Sequence, residues 1–128
     1  MPVSSTAQDC LVAAVTALSG HGALKDRIVA AWSAHLESLD PLLLPEDVRA
    51  EFILLGALLH ATRALRGDTA LRASVRKLSP LETEQCAAFL VRALASTVAH
   101  ATLATREAEA GRAEETARVT TLRIAGTG

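Results

Sequence analysis

An all-α fold is what the sequence predicts, on three observations. The apolar half of the chain is built mainly from Ala and Leu, which lose little on entering a helix, whereas the β-branched and aromatic residues that sheets favour are sparse. Trp32, Phe52 and Phe89 are the aromatic residues. Every long apolar pattern before residue 104 recurs at steps of three and four, the period of a helix rather than a strand. Ser79-Pro80-Leu81-Glu82 spells a helix start, with Ser79 as cap, Pro80 at the first helical position and Glu82 closing the capping box.

At 128 residues the chain is sized for one domain with a real core. Its 50% hydrophobic content and net charge of -1 exclude wholesale disorder and argue against a strongly basic nucleic-acid binder. The expected architecture is a small bundle of four main helices plus one short helix over residues 1–103, followed by a polar C-terminal tail, helical or disordered, over residues 104–128.

The first helix starts near Ser5, where Gln8 three residues on approximates a capping box, and ends at Ser19-Gly20. Cys10, Leu11, Ala14, Val15 and Leu18 form its apolar face. The second runs from Ala23 to Leu39 with Leu24, Ile28, Trp32, His35 or Leu36, and Leu39 on one face, and Asp40-Pro41 stops it. The third opens at Pro45, with Glu46 and Asp47 beside the positive end of the helix dipole. It continues through Val48, Phe52, Leu55, Leu59 and Thr62 to Leu65, with Gly67 as a left-handed terminator. The short fourth, Thr69 to Lys77, presents Leu71, Val75 and Leu78. The fifth carries Cys86, Phe89, Leu90, Ala93, Leu94, Thr97, Val98 and Ala101 on one face, and its core-facing part ends near Leu103.

From Ala104 to Arg118 the apolar side chains are all Ala and the charges alternate in sign, so a solvated helix is the most this segment supports. Gly111 weakens it by about 1 kcal/mol relative to Ala. Val119, Leu122 and Ile124 are the residues through which it would dock if it docks at all.

The sequence carries no catalytic signature. A metal site in a bundle needs ligands one turn apart, and His35, His60 and His100 have no such partner, while His21 sits between two glycines in a loop. There is no nucleophile elbow, Walker loop or Gly-rich phosphate cradle. No enzyme activity, metal or cofactor is therefore expected. Cys10 and Cys86 lie in helical apolar patterns and read as buried free thiols.

Met1 to Ser5 carry no basic residue and Asp9 precedes the apolar run Leu11 to Leu18, the reverse of a secretory signal. Phe52 to Leu59, read as the most apolar stretch, falls far short of the roughly 20 residues that span a bilayer. A cytoplasmic protein without membrane contact is expected.

Arg63, Arg66, Arg72, Arg76 and Lys77 fall in a window with a single acid, Asp68, and form a candidate anion patch of charge +4. The competing reading is structural: Arg63 and Arg66 close the third helix, Arg76 and Lys77 close the fourth, and Asp68 pairs with Arg72 one turn on. The structural reading outweighs the other. In a helix-turn-helix, Glu82 and Glu84 would open the recognition helix and face phosphates, so nucleic acid is not the expected partner.

The third helix is apolar on two faces. Beside Val48, Phe52, Leu55 and Leu59 runs a second stripe, Leu54, Leu58, Ala61 and Leu65, and Gly56 with Ala57 permits close approach. An Ala-rich core with few rings supplies little apolar area, and self-association would remedy that. The expected function is a helical protein–protein interaction or regulatory module acting as a homodimer through this second stripe, with a further protein as partner. One alternative is a small-molecule sensor whose pocket Trp32, His35 and His60 would line. The other is a weak nucleic-acid binder using the Arg63 to Lys77 window.

Overall fold

A computed structural model describes residues 3–127, with side chains described for residues 6–119. All regular structure among the described residues is helical. The helices are α1 (Val3–Leu18), α2 (Leu24–Ala31), α3 (Glu46–Leu58), α4 (Ala70–Arg76) and α5 (Pro80–Thr127). A π-helical turn, Trp32–Leu36, continues α2, and a 3-10 turn, Pro41–Leu43, precedes α3. The chain divides into two compact units, Met1–Val98 and Ala99–Gly128.

In the first unit, α1 begins two residues before Ser5, whose side chain lies outside the described residues. Its C-terminus is closed by the Arg27 guanidinium, which donates to the carbonyls of Leu18 and, at 3.1 Å, Gly22. A cation at exposed carbonyls also complements the negative end of the helix dipole. The second helix is not uniformly α: Glu37 N–H donates to the Trp32 carbonyl over 2.8 Å, the five-residue step of a π turn. Of the alternatives His35 and Leu36, Leu36 is the buried one.

The third helix ends at Leu58, not Leu65. His60 supplies the reason, since its ring Nδ1 lies 2.7 Å from the Gly56 carbonyl and replaces the next turn's backbone donor. Thr62 N–H then donates to Ser74 Oγ on α4 at 3.0 Å, which takes the chain off the helix axis. Gly67 is a turn residue rather than a helix terminator. Its φ of 79° sits inside a turn closed by Asp68 N–H on the Leu65 carbonyl, the third-residue position where a type II turn needs positive φ.

Thr69 caps α4 by accepting from Arg72 N–H. The Ser79–Glu82 box forms as the sequence predicts, with Ser79 N–H donating to Glu82 Oε1 at 2.8 Å and Glu82 N–H to Ser79 Oγ at 3.1 Å. The core takes Leu11 and Ala14 from α1, Ile28 and Ala31 from α2, Trp32 and Leu36 from the π turn, Val48 and Phe52 from α3, Leu71 and Val75 from α4, and Phe89, Leu90 and Ala93 from α5. Burial on α5 ends at Thr97, because Val98 and Leu103 are exposed.

In the second unit α5 continues as a helix, and every described side chain from Thr102 to Val119 is exposed. The side chains of Leu122 and Ile124, the expected docking residues, lie outside the described residues. Over Pro80–Val119, α5 is long and apolar enough to cross a membrane by length and composition, a feature that the shorter run Phe52 to Leu59 had overshadowed in the sequence. The core face from Cys86 to Thr97 is part of that stretch.

Candidate functional site

Two surfaces of the first unit carry the predicted site residues. The first is the outer face of α3. Val48 and Phe52 point inward with Leu55 partly buried, so the inward stripe is the first of the two read from the sequence. Leu54 is 70% exposed, Ile53 52% and Leu58 44%. Ala61 and Leu65 are exposed as well, but they follow the end of the helix and do not extend its stripe.

Leu54 and Leu58 border a groove of about 220 Å³ whose floor includes Leu55 and Phe89, with Glu51 and Glu82 at its edge. Arg92 and Glu51 bind this groove together, with guanidinium–carboxylate contacts of 2.8 and 3.3 Å that join α5 to α3. The bond holds the Glu51 carboxyl below its ordinary range. Ser96 Oγ donates to Asp47 at 2.7 Å further along the same pair of helices. Leu81, one turn before Gln85 on α5, is also exposed.

The second surface lies between α2 and α4. A cleft of about 510 Å³ has Val29, Ala30 and Val75 in its walls and Lys25, Asp26, Ser33, Arg72 and Arg76 around them. A second cleft of about 430 Å³ shares Val29, Ser33 and Arg72 and adds Glu37 and His60. Glu37 Oε1 lies 2.8 Å from His60 Nε2, so the His60 ring ties the π turn to the end of α3.

The cations here are not equivalent. Lys25 Nζ donates to the carbonyls of Arg76 and Leu78 at 2.9 and 2.7 Å and closes the C-terminus of α4. Arg76 pairs with Asp68 at 2.8 Å. That pairing corrects the expected Asp68–Arg72 bridge: Arg72 acts on Asp68 through its charge alone and is exposed, its guanidinium in no ion pair or hydrogen bond among the described residues. Arg63 and Arg66 are exposed in the loop after α3 rather than at its last turn, so the helix-end explanation fails for them and holds for Arg76 and Lys77.

Trp32, expected in a pocket, is instead stacked on Phe52 in the core, while His35 is half-buried in the π turn. Among the described residues no group of three or more His, Cys, Asp or Glu side chains could hold a metal ion. Ser33 lines both clefts, and nothing in the sequence marks it, because the π turn that holds it has no local sequence signature. Comparison with known protein families, curated proteins and solved structures finds no match.

Proposed function

We propose that the protein is a helical interaction or regulatory module that assembles as a homodimer through the outer face of α3, acts without catalytic chemistry and works in the cytoplasm. One observation carries this reading: Ile53, Leu54 and Leu58 stand in water side by side on a helix whose opposite face already fills the core. Each Å² of such surface left in water costs about 25 cal/mol. A two-fold contact uses the same patch from both copies, so a single exposed stripe is enough to make a closed dimer.

The Arg92–Glu51 pair supports the reading, because it links α3 to α5 beside the exposed leucines. Leu54 and Leu58 would supply the centre of the contact, with Ala61 and Leu65 at its margin. A further protein partner would meet the dimer elsewhere on the body. The reading is tested by the mass of the protein in solution and by the effect of a charge at Leu54 on that mass.

A further inference from the structure

We propose that the cleft between α2 and α4 binds a small organic anion, with Arg72 holding its charged group and Val29, Ala30 and Val75 receiving its apolar part. The site is independent of the α3 face, and neither proposal rests on the other.

The cleft has the size of a small-molecule site, about 510 Å³, with Val29, Ala30 and the edge of Val75 set among the polar side chains of Lys25, Asp26, Ser33, Arg72 and Arg76. Its cations divide by task. Lys25 is held by two carbonyls and Arg76 by Asp68, so both are structural. Arg72 lines this cleft and its neighbour, and makes none of those bonds. An exposed guanidinium beside apolar side chains is suited to a carboxylate or a singly charged phosphate ester, which it can meet with two parallel hydrogen bonds.

The π turn adds a second, separate observation. Ser33 of this turn lines both clefts, as Arg72 does, and its hydroxyl can donate to the same anion. π turns are rare and are frequently found at functional sites. Asp26 on the same rim offsets part of the positive charge of Lys25, Arg72 and Arg76 and so favours a monoanion over a polyanion. The neighbouring Glu37, paired with His60, adds to that bias.

Hexanoate tests the site, with acetate as a charge lacking an apolar body and hexanol as a body lacking charge. Titrated into the 128-residue protein and followed by backbone amide NMR, hexanoate should give saturable shifts centred on Val29, Ser33, Arg72 and Val75. Acetate and hexanol should each bind about tenfold or more weakly, and Arg72→Gln should weaken hexanoate by a similar factor with the rest of the spectrum unchanged. Ser33→Ala should weaken it less. The proposal is overturned if hexanoate gives no saturable shift, if its shifts centre on the α3–α5 groove, if Arg72→Gln binds as well as the parent, or if acetate binds equally well. A monomer bearing an intact cleft would leave these expectations unchanged, so failure of the dimer and failure of the site are distinguishable.

Discussion

Trp32 stacks on Phe52 with ring centroids 5.2 Å apart and planes inclined by 22°, which joins the π turn to α3 at the centre of the core. Gly56, one turn beyond Phe52, faces the indole: a Cβ there would lie 3.4 Å from Trp32 Cζ2, at ordinary contact. The close approach that Gly56 permits is therefore to a ring of its own chain.

Gly56→Ala should raise stability by about 0.5–1 kcal/mol, because the methyl fits and the unfolded chain loses freedom. Gly56→Leu should lower it by about 1–3 kcal/mol by forcing the indole aside. Urea unfolding followed by Trp32 fluorescence reads both. Equal effects of the two substitutions would show that Trp32 does not fill that space.

The Ser79–Glu82 box sets a second expectation. Ser79→Ala should cost about 1 kcal/mol in thermal or urea unfolding. The Glu82 carboxyl is held below its ordinary range, first by the Ser79 backbone N–H and then by its hydroxyl. A carboxylate lowered on folding stabilises above its unfolded titration range and loses that contribution as pH falls through the folded one. Glu82→Gln should thus narrow its stability deficit against the parent as pH drops below about 4. A deficit independent of pH would remove the charge from the explanation.

How far the sequence could be read depended on whether each signal was local. The Ser79 box, the acidic first turn of α3 and the positive φ of Gly67 follow from residue types within one turn, and all three are present. The end of α3 was not legible, because Leu59 to Leu65 continue the apolar period while what stops the helix is the His60 ring on Gly56 and the Ser74 hydroxyl on Thr62. The latter bond spans twelve residues. Likewise, Asp68 had Arg72 at the right spacing, yet Arg76 takes it. Both α3 stripes were visible as apolar, but only packing against Trp32 and α5 determines which is inward.

Cys86 should resist alkylation in the folded protein. It is buried, and desolvation pushes its thiol up to about 11, so little thiolate forms near neutral pH. Peptide mapping after brief treatment with iodoacetamide at pH 8 should find Cys86 unmodified until denaturant is added. Modification at the rate of an unfolded control would contradict its placement in the core.

Removing residues 112–128 should leave the melting temperature nearly unchanged. Residues 112–119 are all exposed and bury no core surface, so their loss removes little that opposes unfolding. A fall of many degrees in a thermal melt would show that the tail docks.

The mass of the protein in solution tests the central claim most directly. Size exclusion with light scattering, at tens of micromolar chain, should give twice the 13.4 kDa chain mass. Leu54→Asp places a charge on the exposed stripe and should give a single-chain mass with an unchanged helical circular dichroism spectrum. A wild-type protein that elutes with the mass of one chain at that concentration would contradict the claim.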